Sequence, residues 1–485
     1  MKISRKSSYF IVIDMILGML ALIALFIFGK SYNVVFYIAT FIYVFMFLSW
    51  FAISKQIFNY FSVFLGLTYI YYYGQLLLFA IGKSISFQYT INNTFDSLQI
   101  VSTAYFILEC VIVLHASVIC FYRKGKEKTN YRTISGTDLK AFRLTTLLLL
   151  SVSFICEVLV LGYKYTLNVT MGYATAIGTT YNQLGVLSKV VNFGSTIYLP
   201  ALFSALVATK GRRFSNIYVW LTYVIYLILY FLSGSRFDAV ISLAGVVLLY
   251  HCYYNRIKIK QAVLIIMIGV GVLFLCSLMS KIRIVQNYEK TSDITVVMRQ
   301  ALEFVKEGDI TRDILSETGL QLLSVATVMK YCPAFVNYTY GKYYLYGLLR
   351  VIPNIFLGEN MLITNDIDTI FHIYLTKTYG MGSSFIAEAY YNFGYLGIIM
   401  MFVYGYLIAY VCRKTDDVKG EMNQNIFLVG FLFYIAAKSF FWVRSDARML
   451  IREIVFYYIG FKIITWIVKN LFYREGKNND AEKGI

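Results

Sequence analysis

Apolar runs of about twenty residues recur along this chain, each closed by a short stretch rich in Lys, Arg, Asn or Gly. A helix of that length spans the hydrocarbon of a bilayer, about 30 Å at 1.5 Å per residue. Twelve runs predict transmembrane helices near 8–28, 32–53, 57–82, 98–122, 144–163, 186–209, 217–233, 237–254, 261–280, 391–412, 425–443 and 449–471. Only Gly234-Ser235-Arg236 divides the seventh from the eighth. The pattern changes between Lys281 and Tyr390, where no run is long enough to span. There Val296, Val297, Ala301, Leu302 and Val305 recur with helical period against Arg299, Glu303 and Lys306. Leu320 to Met329 is too short to span and predicts a helix in or on the interface. Tyr343 to Leu357 mixes aromatic residues with Arg350 and Pro353. The prediction is an all-α polytopic membrane protein of about twelve spans. Helices 1–9 occupy residues 1–280, a loop at 281–390 folds back over the bundle, helices 10–12 occupy 391–472, and 473–485 form a tail.

Composition agrees with this reading. The 485 residues are 59% hydrophobic and 14% charged, against about 25% charged in soluble domains. The first run follows Lys2, Arg5 and Lys6, lacks a small-residue cleavage site and is long enough to span, so a retained helix is expected. A net charge of +18 would suit a nucleic-acid partner, but its distribution argues against one. The segments assigned inside, Lys469 included, hold 24 Lys and Arg, against six in the short outer loops. That bias places both termini in the cytoplasm and the 281–390 loop outside. Six of seven cysteines lie in or at the end of apolar runs, leaving Cys332 alone in the loop, unable to close an internal disulfide there. His115, His251 and His372 are scattered and no tight carboxylate cluster accompanies them, so no transition metal is expected. No phosphate-cradling glycine loop or nucleophile elbow has a suitable context, and no cofactor is expected.

The candidate chemistry is cationic. Arg444, Arg448 and Arg452 stand four apart where the last run begins, which puts them along one helical face. Guanidinium groups bind phosphate bidentately, and a helix N-terminus adds positive partial charge. The alternative is a headgroup anchor partly neutralised by Asp446 and Glu453. Arg236 sits in a tight Ser233-to-Asp238 turn, where it serves either an anion or Asp238. Arg283, Arg299 and Arg350 lie in the outer loop on the same membrane face. Glu388 and Asn392, four apart after Gly382-Ser383-Ser384, share a helical face. Glu388 either takes a proton from a hydroxyl or neutralises an arginine. His372 is the one histidine on this face. Tyr343, Tyr344 and Tyr346 either stack on sugar rings or anchor the loop at the lipid interface.

Four segments in this order carry a resemblance: Gly234-Ser235-Arg236, Arg350 before Ile352-Pro353, Ala387 to Gly394, and Arg444 to Arg448. The layout resembles the Wzy-type oligosaccharide repeat-unit polymerases that build O-antigen and capsular polysaccharide. The resemblance implies a GT-C-like glycosyltransferase in the bacterial plasma (inner) membrane, acting at the outer leaflet. It would move a growing glycan from undecaprenyl pyrophosphate onto the next undecaprenyl-pyrophosphate-linked unit, with a flippase and a chain-length regulator as pathway partners. Arg236, Arg350, Arg444 and Arg448 would then face the pyrophosphate, with Arg350 also able to meet glycan. Arg452, Arg283, Arg299 and His372 are substrate-side candidates, Glu388 is base or orienter with His372 the lesser candidate for the base, and Tyr391 and Asn392 bind sugar. The related O-antigen ligases carry a catalytic histidine where this chain has Ser383 and Ser384. The competing readings are a flippase or transporter of lipid-linked oligosaccharide, and an O-antigen ligase.

Overall fold

A computed structural model describes residues 5–28, 31–83, 95–122, 136–171, 186–233, 236–258, isolated positions between 260 and 316, 318–349, 351, 367, 382–418 and 426–472 apart from Asp446. Among these residues the protein is helical, with no strand. In chain order the helices are α1 (Arg5–Phe28), α2 (Tyr32–Ser54), α3 (Tyr60–Ala80), α4 (Ser97–Phe121), α5 (Gly136–Met171), α6 (Val186–Thr196), α7 (Tyr198–Ala208) and α8 (Arg213–Ser233). They continue as α9 (Arg236–Leu249), α10 (Gln321–Tyr331), α11 (Lys342–Leu349), α12 (Phe385–Phe393), α13 (Met400–Asp416), α14 (Ile426–Ser439) and α15 (Arg448–Phe472). A π-helical turn, Tyr250–Tyr254, closes α9, and 3-10 turns at Gly394–Ile399 and Phe440–Val443 follow α12 and α14.

Nine described helical stretches are long and apolar enough to cross a membrane. Two shorter apolar helices, Asp238–Tyr254 and Leu428–Val443, fall on two further predicted runs. The predicted run 261–280 lies largely outside the described residues. Local chemistry sets several boundaries. The side chains of Ser31, Asn59 and Asp96 cap α2, α3 and α4, and Gln99 returns the bond to complete a capping box on α4. The run expected as one helix at 186–209 is two, α6 and α7, divided at Ile197. Pro200 has no N–H to give the carbonyl four residues back, which breaks the ladder at that point. At 36 residues, α5 is about 54 Å long and outreaches the hydrocarbon.

The chain packs as two compact units. The first comprises residues 1–127, 308–416 and 439–452. Its centre is α4, buried along most of its length and packed by α1, α2, α10 and α13. Helix α10, expected at the interface, is instead inserted among α3, α4 and α12, with every side chain from Gln321 to Val328 buried. Its apolar residues surround the helix rather than forming one stripe, so the bundle is their solvent. The segment before it is held to α3, where Gln75 Nε2 donates to the Ser316 carbonyl at 2.9 Å. Cys332, just past α10, is buried, and burial pushes its thiol up to about 12. Between α1, α2 and α4, His115 Nδ1 meets Asp14 at 2.8 Å and Nε2 meets Ser49 at 3.2 Å, all three side chains being buried.

The second unit comprises residues 128–307, 417–438 and 453–485. Helix α5 packs against α6, α7 and α8. Gly430 on α14 faces Ser204 of α7 so closely that a Cβ would stand 2.6 Å from its Cα, which makes this a backbone-to-backbone contact. Glu453 of α15 is held by Lys438 at 3.3 Å and by the Tyr434 hydroxyl at 2.6 Å.

Candidate functional site

Two of the distinctive sequence segments meet within the first unit. Ser384 caps α12, its Oγ accepting from the Ala387 N–H at 3.2 Å. That cap directs Glu388 inward, where it is fully buried. Its Oε2 accepts from the backbone N–H of Ala447 at 3.1 Å and from the Tyr404 hydroxyl at 3.3 Å. Ala447 immediately precedes the first residue of α15, Arg448. The amide expected to help draw an anion to this helix end is therefore already turned inward to a carboxylate of the protein.

The turn that carries the arginines is fixed on several sides. Phe440 stacks on Tyr60 at 5.2 Å, and the Tyr60 hydroxyl meets Ser439 Oγ at 2.5 Å. Trp442 lies edge-on to Tyr404 at 5.5 Å. The N–H groups of Arg444 and Ser445 both donate to the Phe441 carbonyl, at 2.8 and 2.7 Å. Gly382 has a φ of +76°, and a Cβ there would stand 2.8 Å from the Arg444 carbonyl oxygen. Only glycine suits both conditions, so the chain before α12 lies directly on the arginine turn. Ser324 of α10 ties the same strip down by donating to the Gly382 carbonyl at 3.1 Å.

Asn392 is also fully buried, but its amide is committed to the fold. Oδ1 accepts from Thr339 Oγ1 at 2.8 Å and from the Gly341 N–H at 3.1 Å, while Nδ2 donates to the Glu388 carbonyl at 2.8 Å. It clips the 339–341 segment to α12. Tyr391 is buried with its ring edge-on to Tyr343 at 5.6 Å. Past α12, Gly394 has φ +58°, and Gly397 packs onto the Ala389 carbonyl so tightly that a Cβ would overlap it. The 3-10 turn can therefore fold against α12 before α13 begins.

The structure thus brings Glu388, Tyr391, Asn392 and the half-buried Arg444 into one neighbourhood of the first unit. Arg448 opens α15 and Arg452 lies one turn on, but their side chains fall outside the described residues. The same holds for Arg236, which opens α9 in the second unit. Arg283, Arg350 and His372 lie wholly outside the described residues. Arg299 is described and exposed. Sequence reasoning missed Tyr404, the second partner of the Glu388 carboxylate. It lies sixteen positions on, across a 3-10 turn that resets the helical phase, so no spacing rule could have paired them.

Among the described residues no group of three or more His, Cys, Asp or Glu is placed to share a metal ion. The arrangement offers a cationic turn backed by a buried carboxylate. A family model described as O-antigen polysaccharide polymerase Wzy matches residues 10–476. No curated protein and no solved structure matches the chain.

Proposed function

The chain belongs to the O-antigen polysaccharide polymerase Wzy family, and from that premise we propose that it joins undecaprenyl-pyrophosphate-linked oligosaccharide repeat units at the outer leaflet of the bacterial plasma membrane. The family acts in the general polymerisation of O-antigen repeat units on lipid-linked oligosaccharide, and the chain is a multi-pass membrane protein. The lipid carrier, the outward placement of the loop, the cytoplasmic termini and a GT-C-like architecture belong to the proposal. So do a flippase that delivers units and a chain-length regulator.

One observation carries the site assignment. The Gly382-to-Glu388 strip and the Arg444-to-Arg448 turn, 59 residues apart at their hydrogen-bonded ends, are packed together by the Glu388–Ala447 bond. In the proposed reaction the bond between an anomeric carbon and pyrophosphate breaks, and negative charge grows on the leaving group. Fixed guanidinium groups at a water-poor boundary stabilise that charge more in the transition state than before it, without a metal. Arg444 and Arg448 are assigned to the pyrophosphate, with Arg452 one turn behind. Arg350 remains assigned to pyrophosphate or glycan on sequence grounds. Glu388 holds the arginine turn through Ala447 and is the proton acceptor of the reaction. Asn392 holds the wall of the site rather than the sugar, because its amide already serves Thr339, Gly341 and Glu388.

The test is the surface-glycan pattern after deletion and complementation. A single repeat unit left on its carrier supports polymerisation. Full-length polymer that is never transferred points to a ligase, and units trapped inside the cell point to a flippase.

A further inference from the structure

Cations from three stretches of the second unit converge at one end of its helices. Arg143 of α5 donates from Nε to the Ala208 carbonyl at 2.7 Å, at the C-terminus of α7. Lys210, two residues on, donates to the Tyr253 carbonyl at 2.6 Å and lies 4.4 Å from the centre of that ring. The hydroxyls of Tyr253 and Tyr254 donate to the Val207 and Leu206 carbonyls, so the π-helical turn after α9 is fastened to the same helix end. Around this clasp stand Arg212, Arg213, Arg256 and Lys258, all exposed, and among the described residues no acidic side chain pairs with these four. Arg143 and Arg212 are near enough to repel each other. Setting topology requires only that cations lie in a loop. Holding like charges together across three chain segments goes further, because an anion placed among them relieves the repulsion.

The surface beside the cations says which anion fits. Helix α8 begins at Arg213, and Phe214, Ile217, Leu221, Val224 and Ile228 follow at intervals of three and four, all exposed. They form one face of a candidate span, open to hydrocarbon along its length, with Phe214 88% exposed directly after the arginine pair. A soluble anion would use the cations alone, whereas a lipid uses both parts, its phosphate at the cations and its chains along the apolar face. We infer that this end of the second unit is a binding site for an anionic phospholipid headgroup, with the acyl chains lying along α8. Phosphate oxygens only accept hydrogen bonds, which suits guanidinium and ammonium groups that only donate. A zwitterionic headgroup carries its own cation and gains less from the patch. By the charge bias along the chain, this is the end expected at the cytoplasmic leaflet.

The test uses the full chain in detergent, stripped of lipid and titrated separately with phosphatidylglycerol, phosphatidylcholine and inorganic phosphate. Bound molecules are counted by native mass spectrometry. Phosphatidylglycerol should bind at least about tenfold more tightly than phosphatidylcholine, and added salt should weaken it. Arg212→Gln and Arg213→Gln should each lower phosphatidylglycerol affinity about 5-fold, and together about 30-fold, leaving phosphatidylcholine unchanged. Both side chains are exposed, so the melting temperature without lipid should match wild type. Arg5→Gln, at the exposed start of α1 in the first unit, removes the same charge from outside the patch and should leave lipid affinity unchanged. Equal affinity for the two lipids, or an equal loss in Arg5→Gln, overturns the site. Inorganic phosphate that displaces phosphatidylglycerol at equal concentration assigns the cations to a soluble anion and overturns the lipid. None of these outcomes bears on the polymerase reading, whose failure would show in the joining of units.

Discussion

The carboxylate of Glu388 and the backbone amide of Ala447 meet at 3.1 Å across 59 positions of sequence. Both are buried. The bond fixes where α15 starts and hence where Arg444 and Arg448 begin, so one residue couples the interior of the first unit to its cationic turn.

Replacing Glu388 separates two roles. Glu388→Gln keeps an oxygen that can accept from Ala447 and Tyr404, but an amide does not take up a proton. Its abundance and melting temperature should match wild type, while joining falls by about 10²–10⁴-fold. Glu388→Ala removes the acceptor as well, stranding a buried N–H at about 1–3 kcal/mol, and should also lower the melting temperature in detergent. Normal polymer length in cells carrying Glu388→Gln would remove the carboxylate from the chemistry.

The arginine turn gives a second comparison. Arg448→Lys keeps the charge but loses the planar fork that meets two phosphate oxygens. If Arg448 holds the leaving group, joining should drop by about two to three orders of magnitude, or about 3–4 kcal/mol, at unchanged protein level. Arg444→Lys should behave alike. A change in protein abundance alone, with normal activity per molecule, would reduce these residues to a membrane anchor.

Gly382→Ala tests how closely the strip before α12 must lie on that turn. A side chain at φ +76° costs about 1–2 kcal/mol, and its Cβ would also press on the Arg444 carbonyl. Gly211 supplies the control, since its φ is +81° but a Cβ there meets nothing within 4 Å. Gly211→Ala should therefore cost stability alone. Gly382→Ala should in addition shorten the polymer, because it displaces Arg444. Equal polymer length in the two variants would dissociate the Gly382 contact from activity.

Much of the frame was legible in the sequence because the bilayer sets span length, and α1 to α4 and α15 begin and end within a few residues of their apolar runs. The four-residue spacing of Arg444, Arg448 and Arg452 predicted one helical face, but α15 begins at Arg448 and leaves Arg444 in the turn before it. What escaped were contacts whose partners carry no local signal. The N–H of Ala447 is the same in every alanine, so nothing in its neighbourhood announces Glu388. Asn392 looked free to bind sugar because its partners, Thr339 and Gly341, are more than fifty positions away. Helix α10 read as interfacial on length, but length fixes only what can span, not whether other helices enclose a short one.

The last prediction concerns the buried network of Asp14, His115 and Ser49. Ser49 Oγ donates to the Met46 carbonyl at 3.0 Å, so towards His115 Nε2 it accepts. His115 Nδ1 meets Asp14 at 2.8 Å, and that contact ties α1 to α4 across 101 positions. A serine whose hydrogen is spent on the backbone is a poor nucleophile, so this Ser–His–Asp arrangement is not set up for nucleophilic chemistry. Its work is structural. Asp14→Leu or His115→Phe alone should each cost about 3–5 kcal/mol by leaving a buried polar partner uncompensated, whereas the pair together should cost much less than the sum. Melting temperatures of the two single variants and the double variant close the cycle. Purely additive losses would show that the Asp14–His115 contact contributes no coupling, and a fall in joining rate per folded molecule would show that the network reaches the reaction after all.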